Sequence, residues 1–520
     1  MAGFLNKYKN IAVVLLIFLF HGMNNFAWLK LNSLPPYDDL AIHLSGALEL
    51  IAISHGLADI FVRSTTFIVQ AFYPPLFHLF MAVFNLLFGL SETSAVMANT
   101  PFLLILLTSL YYTGKKAFSA AAGVLSGFIV MMYPGVFALA RLSLPDFAMT
   151  AMLSLSFCLL LYSEYFSLTL PSLLFGVSCG LGMLTKQILP LFLLAPLLYV
   201  IGDLILTGRI LEKRTAANLT ASFLITCAVA GYWYVSKFSI IWPSYVKVEH
   251  GGYVYRGIQS CPDILSSASI SYYANNLVKN QMLMFYFIIF AAALVKWLAS
   301  GGSWKLKSQL MFSIAAPYAA FTLIFTKHTK STSPFLIFFG LISAAGIMSI
   351  KNTGLRRGII ALVVVFGLFQ YYDLSFKNGM FFSYLRKLPV TGILVPKFNM
   401  ETPFRTAFQP VRCPPVSREI FSLIKKESGD NKMPVVAGSD TSVNDYGAMS
   451  GVIANSQSLV YEMKVNGLPW ELVHYEHKDI GDREDFAVMV YKIDPGAFRL
   501  IKTYVLPDSS SVYVYKHIPT

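Results

Sequence analysis

Apolar stretches of roughly 17–20 residues recur along the first three-quarters of the chain, each long enough to cross about 30 Å of hydrocarbon as a helix. No other feature constrains the fold as strongly, because runs of that length belong in a bilayer rather than in a soluble core. Candidate spans fall at 11–29, 95–113, 118–136, 147–163, 170–185, 187–206, 216–236, 281–299, 308–326, 334–350 and 358–372, which makes eleven. The first follows Lys7 and Lys9, lacks a small-residue cleavage site, and reads as an uncleaved anchor. Composition agrees: 56% of the 520 residues are hydrophobic and 13% charged, where a soluble domain carries about a quarter charged.

Pro74–Leu90 is a further apolar run, and the basic residues decide whether it crosses. With the N-terminus in the cytoplasm and no crossing there, the cytoplasmic loops hold Lys7/Lys9, Lys115/Lys116, Arg209/Lys213/Arg214, Lys296/Lys305/Lys307 and Lys351/Arg356/Arg357. A crossing would move every later basic loop outside. The run therefore reads as a re-entrant or interfacial helix opened by Pro74-Pro75. Eleven crossings then put the C-terminus outside, with long outer loops at 30–73 and 237–280. The expected fold is a polytopic α-helical membrane domain over 1–372, followed over 373–520 by a small extracytoplasmic α/β domain. In that tail Val416–Glu427 patterns as an amphipathic helix, and Pro434–Gly438, Phe486–Tyr491 and Val512–Tyr515 as short strands. The net charge of +13 resides in short loops that set orientation, so nucleic acid is not an expected partner. The five cysteines have no CxxC or metal spacing. Cys158, Cys179 and Cys227 lie in apolar runs. Cys261 and Cys413 lie in polar outer segments, where spacing leaves pairing undecided.

Candidate chemistry sits at the outer ends of the spans. Asp38-Asp39 open a pattern with Leu40, Leu44, Ala47, Leu48 and Ile51 on one face, a helix expected to lie along the membrane surface. Acidic residues at a helix N-terminus act as caps and dipole partners, and the alternative is a catalytic or metal-binding carboxylate. Asp146, after Pro145, carries the same two readings, with Arg141 as counter-charge or anion ligand. Lys186 stands at an outer junction, either snorkelling or holding a lipid phosphate. The turn Lys327-His328-Thr329-Lys330 puts three basic-capable groups on the non-cytoplasmic side, against the positive-inside trend, and invites an anionic ligand. No cofactor is indicated. A divalent cation, if one is used, falls to Asp38 and Asp146.

Taken in order, the outer acidic pair, Tyr73-Pro74-Pro75-Leu76, Arg141…Asp146, Gly180-Leu181-Gly182-Met183-Leu184-Thr185-Lys186, Val248-Glu249-His250 and the Lys327–Lys330 turn resemble the glycosyltransferase C superfamily. The branch is that of the protein O-mannosyltransferases and the lipid A aminoarabinose transferase, and the likeness spans residues 1–350. The resemblance implies transfer of a sugar from a polyprenyl-phosphate donor on the outer face, in the bacterial inner membrane, to a lipid, glycan or protein acceptor. It maps the general base onto Asp38, with Asp39 as its acidic neighbour. The second family aspartate maps onto Asp146, and the donor phosphate contact onto Lys186. Tyr73, Arg141, Glu249, His250, Lys327, His328 and Lys330 are further substrate-binding candidates. Three family features are absent: a basic residue beside the prolines, an arginine just after the acidic pair, and a luminal trefoil insertion. The acceptor is therefore not carried over. The residues suit the chemistry on their own terms, since glycosyl transfer passes through an oxocarbenium-like state and needs a base for the acceptor and cations for the leaving phosphate. A transporter or lipid flippase would place ionisable groups mid-span and show inverted repeats, and a non-catalytic scaffold would leave the paired acidic sites unexplained.

Overall fold

A computed structural model describes residues 2–54, 73–249, 259–260, 264–324, 326–377, 410–429, 434–439, 453–468, 470–475, 484–490, 492 and 498–518. Every expected span is helical. In chain order the helices are α1 (Ala2–Leu31), α2 (Asp38–Ser54), α3 (Leu76–Phe88), α4 (Asn99–Ala117), α5 (Ala120–Met132), α6 (Asp146–Tyr162), α7 (Thr169–Met183) and α8 (Leu189–Leu206). They continue as α9 (Lys213–Glu249), α10 (Ser267–Asn276), α11 (Leu283–Ala299), α12 (Trp304–Thr322), α13 (Leu336–Met348) and α14 (Thr353–Phe376). Among the described residues five helices are long and apolar enough to cross a membrane, or seven if each of two bent pairs is one span. One pair turns by 74° between Met132 and Pro134, the other by 116° between Gln281 and Leu283. Four more apolar helices, α3, α6, α7 and the one ending at Met348, are shorter. The chain is thus an integral membrane protein of mostly helical structure.

Small residues let these helices approach closely. Gly176 and Gly180 on α7 face Ser222, Thr226 and Val229 on α9, and a Cβ on Gly176 would come within 2.4 Å of the Ser222 carbonyl oxygen. Hydroxyls fill the seam: Ser222 donates to the Ser172 carbonyl at 2.7 Å and Thr226 to that of Gly176 at 3.0 Å. This is the packing expected where lipid removes any hydrophobic preference between helices.

Polar contacts sort the loops into two ends. Lys116 pairs with Glu164 at 2.7 Å, Arg209 donates to Ser167, and Lys305 pairs with Asp203. The loops read as cytoplasmic therefore meet at one end. At the other, Asp39 meets Lys330 and Asp146 meets Lys186.

Two expectations change. The span 216–236 is part of a helix that continues to Glu249, because Phe238, Ile240, Ile241 and Trp242 extend the apolar pattern and Pro243 does not stop it. The α2 helix is no one-sided surface helix. Leu44 and Ala47 are buried as expected, and so are His43, Ser45 and Glu49 on other faces. The reason lies in the tail, whose helix α16 (Ser456–Val465) covers the polar side. Lys464 of α16 pairs with Glu49 at 2.7 Å, and the Ser458 hydroxyl donates to the Pro36 carbonyl.

The rest of the tail comprises α15 (Val416–Ser428) and a sheet. Two short strands of the membrane domain, β1 (Gln259–Ser260) and β2 (Thr326–Lys327), precede it and pair antiparallel. The sheet contains β3 (Val435–Ser439), β4 (Glu471–Tyr475), β5 (Phe486–Met489), β6 (Phe498–Val505) and β7 (Ser511–His517), in the order β4-β3-β5-β7-β6. Its β4-β3-β5 half is parallel and β5-β7-β6 antiparallel. Strand β6, at the edge of the sheet, is mostly exposed, with only Phe498 and Tyr504 buried, whereas β5 is buried throughout. Cys413 is a free thiol, and Cys261 lies outside the described residues.

Candidate active site

The motifs singled out in the sequence are far apart along the chain and converge in space. Leu76 N–H donates to the Leu184 carbonyl at 2.9 Å, joining the Tyr-Pro-Pro turn to the Leu-Thr-Lys turn. Proline at the two positions before α3 costs no hydrogen bond, since the first N–H groups of a helix have no intrahelical partner. The Ser143 hydroxyl donates to the Leu40 carbonyl at 3.0 Å, which ties the turn before α6 to the start of α2. The fifth segment, the turn after β2, hangs from side chains of the bent α10–α11 pair. Asn276 and Gln281 both donate to the Thr329 carbonyl, at 3.0 and 2.8 Å, and Gln281 also reaches the Thr332 hydroxyl at 2.9 Å.

Two ion pairs occupy the junction. Lys330 Nζ donates to Asp39 Oδ2 at 2.6 Å, and Lys186 Nζ donates to Asp146 Oδ1 at 2.7 Å. Burial alone would raise the Asp39 pKa, but Lys330, with His43 and His328 behind it, outweighs burial and holds the carboxyl below its ordinary range. Burial lowers the Lys186 pKa, and Asp146 only partly offsets it. His328 lies within the field of both pairs, and burial followed by Lys330 pushes its pKa down to about 3. The Asp146 side chain is fully buried, and its Oδ2 has no hydrogen-bond partner among the described residues. The Tyr73 ring packs on His43 at 4.4 Å. The structure therefore assembles Asp39, Tyr73, Asp146, Lys186, His328 and Lys330.

Other candidates go elsewhere. Arg141 does not face the carboxylates. A 3₁₀ turn over Leu139–Arg141 and an extended Leu142 separate it from Asp146, and its guanidinium is directed toward α1 and α14. There Nε donates to Asn25 at 3.1 Å and Nη2 to Ser375 at 2.8 Å, between the rings of Trp28, Phe137 and Tyr371. Lys327, a candidate phosphate contact in the sequence, is turned toward the end of α12. Its buried ammonium donates to the carbonyls of Phe321, Thr322 and Ile324 at 3.1, 2.5 and 2.7 Å, capping the C-terminal end of α12. Asp38 opens α2, but its side chain lies outside the described residues, as do the Glu249 side chain and all of His250. Among the described residues no three His, Cys, Asp or Glu side chains are grouped as metal ligands, and Asp146, a candidate for a cation, is engaged by Lys186.

Two site residues escaped the sequence reading. His43 Nδ1 lies 2.9 Å from His78 Nε2, and His78 Nδ1 lies 3.2 Å from the Pro74 carbonyl oxygen. Their spacing was a usable signal: His43 follows Asp39 by four residues and His78 follows Pro74 by four, one helical turn each.

The helical architecture with a mixed-sheet tail is a glycosyltransferase C fold, as the motifs implied. ArnT from Cupriavidus metallidurans bound to undecaprenyl phosphate superposes with a TM-score of 0.56 at 12% identity, covering 98% of this chain and 98% of that one. The apo state of the same protein gives 0.52 at 12% identity, over 89% of this chain and 78% of that one. The family model for dolichyl-phosphate-mannose-protein mannosyltransferases matches residues 73–233. No curated protein matches the sequence. The expected likeness to the protein O-mannosyltransferase branch is borne out, and no comparison favours a transporter.

Proposed function

We propose that this chain transfers a sugar from a polyprenyl-phosphate donor to an acceptor hydroxyl on the extracytoplasmic face of the bacterial inner membrane. One observation carries the reading: two carboxylates and two lysines, from four separate segments, meet as the pairs Asp39–Lys330 and Asp146–Lys186 at one end of the helices. Isolated surface pairs contribute little, and a cluster in which Asp146 is fully buried, Lys186 and Lys330 nearly so and Asp39 partly exposed points to chemistry. ArnT, to which the fold is similar, has been solved with undecaprenyl phosphate bound.

In this reading Asp39 accepts the proton of the acceptor hydroxyl as that oxygen attacks the anomeric carbon. The bond from that carbon to the phosphate oxygen breaks, and Lys186 and Lys330 hold the departing lipid phosphate. Asp146 keeps Lys186 in place before the donor arrives. The site and tail face outward, with eleven crossings and Leu76–Phe88 as the non-crossing helix. The thirteen inward basic residues named above support that orientation.

The deciding experiment incubates purified full-length protein with a panel of labelled polyprenyl-phosphate sugars and candidate lipid, glycan and peptide acceptors. Transfer from at least one donor is expected, and no transfer from any would refute the reading. A reporter active only in the cytoplasm, fused after Thr520, should stay silent. Activity there would overturn the outward placement of the tail.

A further inference from the structure

The histidine pair beside the ion pairs has no role in the transfer just described, yet its geometry is specific. A carbonyl oxygen only accepts hydrogen bonds, so the 3.2 Å contact to Pro74 requires the proton of His78 to sit on Nδ1. A neutral His78 then offers a lone pair at Nε2, and His43 Nδ1, at 2.9 Å, must donate into it. That chain leaves the Nε2 of His43 as an acceptor. No hydrogen bond to that nitrogen is made among the described residues. The two residues as a whole are almost completely buried, at 2% and 0% exposure. Asp39 stands one turn earlier on the same face of α2. The ring also feels Lys330 and Lys186, while Tyr73 lies against it with the ring planes 58° apart. Burying two imidazoles in direct contact is costly unless each nitrogen has a use.

We propose that the Pro74 carbonyl and His78 lock His43 in its Nδ1–H tautomer, so that His43 Nε2 takes over the proton that Asp39 removes from the acceptor. This rests on the glycosyl-transfer reading. The proton passes from the acceptor hydroxyl to the Asp39 carboxylate and then to His43 Nε2, giving an imidazolium. The acceptor oxygen forms its bond to the anomeric carbon, the carbon–oxygen bond to phosphate breaks, and the lipid phosphate leaves with the bonding pair. The imidazolium releases the proton to the departing phosphate or to water. Asp39 is thereby returned to Lys330 as a carboxylate. His78 is a positioning residue that acts through His43.

The groups facing His43 are Asp39 on its own helix, Tyr73 and His78 from the α3 side, Lys186 from the α7–α8 turn, and Lys330 with His328 from the turn after β2. Further along α2 the tail contributes Lys464, already paired with Glu49. A change of pH dependence must therefore be read against variants of the pair itself.

Two measurements test the proposal. Nitrogen chemical shifts of ¹⁵N-histidine-labelled full-length protein in detergent, assigned with His43→Gln, should show Nδ1 of His43 protonated and Nε2 bare. The opposite tautomer would overturn the lock without any donor being needed. With whichever donor the panel identifies, His43→Gln should lower kcat by ~10²-fold, leave the donor KM within about threefold, and alter the acid limb of the kcat–pH profile. His78→Leu should lower kcat by ~10-fold, and His78→Gln, whose amide oxygen still accepts from His43, should recover most of that loss. A His43→Gln enzyme with the kcat and pH profile of the parent sinks the relay while glycosyl transfer stands. An inactive parent sinks both.

Discussion

The most informative perturbation is Lys186→Met. The Lys186 ammonium lies 2.7 Å from Asp146 Oδ1, with side-chain exposures of 13% and 0%. At an effective dielectric of about 20, unit charges at that separation attract by ~6 kcal/mol. Removing both from water costs several kcal/mol per ion, so the pair as a whole contributes little net stability. Removing one partner is different. Asp146 Oδ2 has no hydrogen bond among the described residues, and Oδ1 has Lys186. Lys186→Met therefore leaves a buried carboxyl without its lysine, a loss of ~3–5 kcal/mol, or a ~10²–10⁴-fold shift toward the unfolded state. Asp146→Asn should cost less, because a long lysine can swing its head toward water. The double variant Lys186→Met/Asp146→Leu should regain most of the stability while remaining inactive. Thermal unfolding of the purified variants in one detergent, at one pH, orders the midpoints. If the double variant unfolds no later than Lys186→Met, the uncompensated charge is not what destabilises the single variant.

Three further outcomes follow from the site. Asp39→Asn should lower transfer by ~10²–10⁴-fold with donor affinity retained, and Asp38→Asn should do less, measured as turnover and binding of the active donor; equal turnover in Asp39→Asn and the parent would remove the base assignment. His328 has its pKa pushed from 6.5 to about 3, so the folded state resists a proton that the unfolded state accepts. Its contribution is present above pH 6.5 and is lost as pH falls toward 3. His328→Gln should therefore flatten the decline of the unfolding midpoint between pH 6.5 and 4, and an unchanged slope contradicts this. Lys464→Met removes the buried ion pair to Glu49 and should expose the Ser456–Val465 helix to limited proteolysis before the membrane helices unfold, whereas Glu49→Gln/Lys464→Met should recover part of the protection.

The helices were legible because apolar length is a one-dimensional signal, and each of the eleven runs coincides with a helix. Tail elements with strong periodicity, such as Val416–Ser428 with Ile420, Phe421 and Ile424 buried, were legible for the same reason. The Ser456–Val465 helix was not, because its polar residues face a partner: Lys464 looks like a solvated position until Glu49 is placed opposite it. Arg141 misled in the opposite direction. Five residues from Asp146, it belongs by side-chain direction to α1 and α14. Lys327 and Lys330 are three residues apart and identical in type, and only the fold separates a helix cap from a partner of Asp39. Which loops gather at a common end was readable in the sequence; which groups touch there was not.

The capping reading of the acidic residues can now be weighed by magnitude. Asp39 and Asp146 both lie in the first turn of a helix, where a carboxylate gains ~0.3–1 kcal/mol from the dipole. Neither side chain has a described hydrogen bond to a helix N–H; each bonds a lysine from another segment instead. The helix ends supply a favourable place for negative charge, and the lysines determine its use. A lysine at the edge of hydrocarbon would be expensive alone, so under the proposed reaction each lysine that is to hold the phosphate needs an anionic partner beforehand. An aspartate at a helix N-terminus is suited to that, because the dipole keeps it tolerable when the lysine turns to an incoming anion. Structural counter-charge and chemical group are then the same residue at different moments, which is why spacing alone did not separate a cap from a base.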